Sequence, residues 1–107
     1  MDMHARVTQF QLLPGRLQDF ALALDSLVPL LREQAGFRSL IVLRGDPTPG
    51  APPQATVISL WDSLEALRAS EQNLYFYRAM ARVIEFSDGF PAIYEHKVLV
   101  YESAGAA

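Results

Sequence analysis

An α+β domain with the element order β-α-β-β-α-β is predicted by three observations. Apolar residues alternate over residues 4–12 and then change to helical spacing from residue 16. Two stretches rich in β-formers, 37–45 and 55–61, are separated by only nine residues, too few for a crossover helix. The tryptophan that closes the second of them runs directly into another helical pattern, followed by a last strand.

In the first strand, "HARVTQFQL", Ala5, Val7, Gln9 and Gln11 point one way, and Arg6, Thr8, Phe10 and Leu12 the other. "PG" at 14–15 is a turn that opens a helix. Leu17, Phe20, Ala21, Leu24, Leu27, Val28 and Leu31 then form one broad apolar face. Pro29 lies inside that pattern and is expected to kink or restart the helix, because it lacks a donor and its ring crowds the preceding turn. Gly36 is expected as its C-terminal cap. "FRSLIVLRG" (37–45) and "ATVISLW" (55–61) form an antiparallel hairpin, joined by "DPTPGAPPQ" (46–54), whose four prolines make it an exposed connection. Asp62 is expected to cap the next helix, with Glu65 completing a capping box. Helical segments follow at 63–70 and 74–86. Phe76, Met80 and Val83 mark one face of the latter, extended by Tyr77, Ala81 and Ile84. "SDGFPA" (87–92) breaks the helix, 93–102 is a final strand, and 103–107 is a frayed tail. The order is that of the ferredoxin-like split βαβ unit. Its four antiparallel strands carry both helices on one face.

At 107 residues the chain is a single domain, and half of it is hydrophobic, which excludes disorder. The net charge of −3 with interspersed signs speaks against nucleic acid as a partner. The absence of cysteine removes disulfides, thiolate nucleophiles and cysteine-based metal sites. No basic n-region with an apolar run begins the sequence, and no apolar stretch reaches the ~18 residues that span a bilayer. A cytoplasmic protein with no membrane contact is expected.

The strands are apolar on both sides. Val57 and Trp61 face opposite to Ile58 and Leu60; Ile41 and Leu43 opposite to Leu40 and Val42; Val98 and Val100 opposite to Leu99 and Tyr101. Leaving about six such residues wet forgoes roughly 10 kcal/mol. A homodimer through the helix-free sheet face is therefore expected.

Candidate functional residues are few. Trp61, between sheet and helix, is a core residue, a pocket wall, or both. His96 lies well inside the last strand, whereas His4 is near the chain's start, so His96 is the histidine taken as a candidate general base. Tyr75, Tyr77, Arg78 and Arg82 share one helix, and Arg78 and Arg82 are one turn apart, a pairing suited to an acidic or phenolic ligand or to a solvated edge. Tyr94 either closes a pocket or covers the core. Two distant histidines and unspaced carboxylates offer no metal site, and no phosphate loop or nucleophile elbow is present.

The first strand ending before "LLPGRLQDF", the helix leading into "LLREQAGF", and "TVISLW" running into "DSLEAL" together resemble the antibiotic biosynthesis monooxygenase (ABM) family over nearly the whole chain. The resemblance implies a dimeric α/β barrel. It implies either oxygenation of aromatic compounds without metal or flavin, or haem degradation. Trp61 matches the family tryptophan. Haem-degrading members carry an asparagine where this chain has Thr8, and a histidine on the helix after the tryptophan, where this chain has none. The implied route is therefore cofactor-free. An electron-rich substrate loses a proton and reduces dioxygen itself, while the protein supplies a dry pocket, a proton acceptor and hydrogen bonds. On this reading Trp61, Thr8 and His96 serve catalysis, and Tyr77, Arg78 and Tyr94 bind a small aromatic or quinol-like substrate. The alternative is a non-catalytic dimer that binds a small molecule or is purely structural.

Overall fold

Pro29 divides the first helical segment in two. In the computed structural model, which describes residues 2–105, α1 (Leu17–Asp25) ends at Ser26 and α2 (Val28–Arg32) restarts with the proline in its first turn. No intrahelical N–H is needed there, so proline is tolerated. The other elements are β1 (His4–Gln11), β2 (Phe37–Arg44), β3 (Gln54–Trp61), α3 (Leu64–Glu71), α4 (Leu74–Ile84) and β4 (Ala92–Lys97). The strands form one antiparallel sheet in the order β2-β3-β1-β4. This is the ferredoxin-like arrangement, with an open sheet whose edges are β2 and β4. No helix among the described residues is long and apolar enough to cross a membrane.

Several local expectations are corrected. Gly36 is not a helix cap. It lies in a turn closed by the Phe37 N–H on the Gln34 carbonyl (3.2 Å), after α2 has ended at Glu33. Its φ of +80° suits glycine, and a Cβ there would lie 2.5 Å from that of Ala66 in α3. The cap of α3 is Ser63, whose Oγ accepts the Ala66 N–H at 3.0 Å. Asp62 is displaced from that role because its N–H donates to Gly36 O (2.8 Å) and its carboxylate pairs with Arg38 (2.8 Å). With the frame moved by one residue, Glu65 misses the capping-box position. It still places a negative charge in the first turn, where the helix dipole favours it. Strand β4 stops at Lys97 rather than 102. The Val98 N–H still reaches Met3 O (2.9 Å), but β1 offers no pairing beyond that, and Leu99 and Val100 are exposed. Of the expected tail 103–107, residues 106 and 107 lie outside the described residues.

Two apolar clusters lie between sheet and helices. One joins Phe10, Leu12, Ala55, Phe20, Leu24, Val83 and Phe86. The other joins Trp61, Leu31 and Leu67, with Phe37, Leu40 and Tyr75 against them. The buried face of α4 runs through Tyr75, Phe76, Ala79, Met80 and Val83. Tyr77 and Ala81, expected on that face, are exposed. Similarly Ala23, not Ala21, is the buried alanine of α1.

Candidate functional site

Between the two clusters the sheet presents polar side chains instead of apolar ones. Cross-strand pairing sets Arg6 opposite Ser59 and Thr8 opposite Val57. Arg6, Thr8 and Ser59 are all buried. A buried charge is tolerated only when paired and hydrogen-bonded. The Arg6 Nε donates to Glu71 Oε1 (3.0 Å), and its Nη2 donates to Leu67 O and Ser70 Oγ (3.2 Å each). Its guanidinium lies over the Phe76 ring, 4.8 Å from the centroid, with the Trp61 ring at 5.9 Å on another side.

These residues border a small, partly open cavity of about 80 Å³. Thr8, Val57 and Ser59 form its floor on the sheet. Leu27 and Leu31, on either side of the Pro29 break, form one wall, and Tyr75, Phe76 and Ala79 of α4 form the other. Among the described residues, the Tyr75 hydroxyl is the one buried side-chain polar atom with no hydrogen-bond partner. Burial raises its pKa above the ordinary phenol value. Ser70 and the Arg6 charge pull the other way from close by, and Glu71 adds to the rise. The Ser70 Oγ makes no bond to the phenol. It donates to Leu67 O at 2.7 Å and accepts from Arg6. An orphaned buried hydroxyl costs about 1–3 kcal/mol, which calls for an explanation.

Two roomier hollows are present. A groove of about 340 Å³ at one end of the sheet is lined by Gln9, Gln11, Gln54 and Thr56, with Asp88 and Phe90 at its edge. Another of about 250 Å³ lies against the proline-rich connection. Neither holds a buried polar group without a partner among the described residues, so the smaller cavity is the stronger candidate despite its size. Among the described residues no three His, Cys, Asp or Glu side chains gather as a metal site.

The sequence model of the antibiotic biosynthesis monooxygenases matches residues 3–82. The chain belongs to the antibiotic biosynthesis monooxygenase family. Solved structures of similar fold include a variant of SnoaB, a cofactor-independent oxygenase from Streptomyces nogalater. It is 15% identical with a TM-score of 0.80, over 94% of this chain and 97% of that one. A conserved protein from Methanosarcina mazei Go1 is 18% identical with a TM-score of 0.76, over 91% and 93%. Rv0793 from Mycobacterium tuberculosis is 19% identical with a TM-score of 0.74, over 95% and 100%. At these identities the likeness is one of fold. No curated protein matches the sequence.

In this ABM chain the residues singled out from sequence are scattered. Thr8 lines the cavity. Trp61 stands behind it, fully buried. Its Nε1 donates to Ser59 Oγ (2.9 Å), and Phe37 meets it edge-on with centroids 5.4 Å apart. It is thus a core residue that positions a cavity hydroxyl. Tyr77 and Arg78 lie on the exposed side of α4. His96 pairs opposite Ala5 and Tyr94 opposite Val7, which places both on the helix-free face, across the sheet from the cavity. Arg6, Ser59 and Tyr75 are the cavity residues that sequence reasoning did not assign. The alternation of β1 already set Arg6 beside Thr8 on the inward side, and an arginine in a buried slot was the available signal.

Proposed function

We propose that this ABM protein is a cofactor-independent monooxygenase that oxidises a small aromatic or quinol-like compound in the cavity between sheet and helices. The observation that carries the reading is an apolar recess between sheet and helices, walled by leucines, Tyr75, Phe76 and Ala79, with Thr8 and Ser59 on its floor. Such a recess orients an oxygen-bearing ring and keeps water from a reactive carbanion. The substrate anion gives an electron to dioxygen, the radical pair closes to a carbon-bound peroxide, and loss of water leaves a carbonyl. A ring CH₂ and O₂ thereby become C=O and H₂O, with every electron supplied by the substrate. The cavity is smaller than the engineered hole of about 150 Å³ that takes up benzene, so binding widens it. The break between α1 and α2 is the natural place to yield. Oxygen uptake with a panel of dihydroxynaphthalenes and anthrones tests the proposal. Saturable uptake abolished by Thr8→Leu, which fills the recess, supports it.

A homodimer through the helix-free face belongs to the same proposal. Ile41, Leu43 and Tyr94 on that face are 44–48% exposed, and Leu99 and Val100 beyond β4 add further apolar area. A second reading, a non-catalytic dimer that binds a small molecule, is favoured by the lack of Asp, Glu or His among the cavity's described lining residues. Saturable binding without oxygen uptake decides for it.

A further inference from the structure

The helix-free face of the sheet is zoned. Val7, Ile41, Leu43, Ile58 and Tyr94 make one part of it apolar, whereas the end beside the proline-rich connection is polar. There Gln11 pairs opposite Gln54 and Gln9 opposite Thr56, so four neutral hydrogen-bonding side chains stand together over two strands. They line the groove of about 340 Å³, which lies at the lower end of the roughly 300–1,000 Å³ of small-ligand sites. The bonds formed at this end run through the backbone. Asp88 N–H donates to Gln11 O (2.7 Å) and Gly45 N–H to Gln54 O (2.9 Å), leaving the amide side chains outside those bonds.

Glutamines alone would be ordinary strand polars, and the rim is what sets this end apart. The segment after α4 is held against the end of β1 by the Leu13 N–H on Phe86 O (2.9 Å), the Leu12–Ser87 bridge and the Asp88 bond. Gly89, at a φ of +84°, turns the chain, and Phe90 stands beside the groove with its ring 89% exposed. Asp88 lies on the same rim. Among the described residues the ion pairs belong to Arg6, Arg16, Arg38 and Arg68, and none of them uses Asp88. No cation lines the groove, so a phosphate or carboxylate ligand meets only a like charge. An apolar ligand would strand three amides, each of which offers both donors and an acceptor. A neutral ligand dense in hydroxyl groups, with one apolar face for the ring, satisfies all of these groups.

We propose that this groove binds a neutral pyranose sugar, its hydroxyls shared among the glutamine amides, Thr56 and the Asp88 carboxylate, and its C–H face laid against Phe90. The site shares no lining residue with the cavity between sheet and helices, so it stands or falls apart from the oxygenase reading. The test follows the side-chain amide signals of Gln9, Gln11 and Gln54 by NMR during titration with methyl glycosides of glucose, mannose and galactose. At least one glycoside is expected to move these signals saturably, with a midpoint on the order of millimolar, as suits an open groove. Glycerol, which has hydroxyls but no ring face, is expected not to saturate. Phe90→Ala, at an exposed position that leaves the fold intact, is expected to weaken binding by about fivefold or more. Gln54→Leu is expected to weaken it as well. Absence of saturation by all three glycosides at about 100 mM overturns the proposal, and so does a groove closed by a second copy, which gives that same result. Equal binding by Phe90→Ala, or saturation by glycerol, also overturns it.

Discussion

The two faces of the sheet carry comparable apolar residues and meet different fates. On the helix-covered side Phe10, Ala55 and Trp61 of the central strands are at most 3% exposed, while Val42 and Ile93 on the edge strands stay open there, at 41% and 48%. On the other side Ile41, Leu43 and Tyr94, on the neighbouring edge strands β2 and β4, remain nearly half exposed. The polar residues invert this pattern. Gln9, Gln11 and Gln54 on the free face sit in an open groove, as ordinary strand polars do. Arg6, Thr8 and Ser59 are buried on the covered face, where apolar residues are the rule. An exposed apolar stripe calls for a surface to cover it. A buried polar patch with an unused donor calls for something that enters. The proposed homodimer would cover the first, and the proposed aromatic ligand would enter beside the second.

That contrast can be broken or sharpened by substitution. The largest effect is expected from Trp61→Ala, which empties the covered side between Phe37, Leu31 and Leu67 and removes the Ser59 partner. A loss of about 3–5 kcal/mol in urea unfolding is expected. Glu71→Ala comes next. It strands the Arg6 charge, but its side chain is 30% exposed, so the loss is about 2 kcal/mol, below the 3–5 of fully buried pairs. On the free face, Leu43→Asp leaves the fold intact and weakens self-association by at least about tenfold in sedimentation at micromolar concentration. Tyr75→Phe reverses the usual sign and raises stability by about 1 kcal/mol, because it deletes an unpaired buried hydroxyl.

The same residue gives a pH signature. Below about pH 10 the phenol is neutral whether folded or unfolded, and it contributes no slope. Above that, the unfolded chain ionises first because burial holds the native pKa higher, so stability falls with rising pH, and Tyr75→Phe removes that part of the fall. The smallest effect is expected from Tyr77→Ala on the exposed side of α4, within about 0.5 kcal/mol.

Much of the covered face was legible in the sequence. Alternation in β1, the restart at Pro29 and the short proline-rich connection fix the order of elements, because each depends on local periodicity or backbone chemistry. The cross-strand register of β4 was not legible. Within 93–102 the two faces can be separated, but which of them meets the helices depends on pairing with β1, almost ninety residues earlier in the chain. This is why His96 and Tyr94 were grouped with Trp61 when they lie across the sheet from it. The choice between Tyr75 and Tyr77 on α4 failed for a similar reason. Both fit a helical stripe that includes Phe76, and only the placement of α4 against β1 and α3 tells which flank is inward. Arg6 was missed because its partner Glu71 is 65 residues away.

The proposed aromatic ligand enters the covered face and not the free face. Methyl and aromatic NMR signals followed during titration with 4-nitrophenol test it directly. Signals of Thr8, Leu31, Val57 and Tyr75 are expected to move together and saturate, while those of Ile41, Leu43, Ile58 and Tyr94 stay in place. Movement confined to the second set, or spread evenly over both, contradicts it.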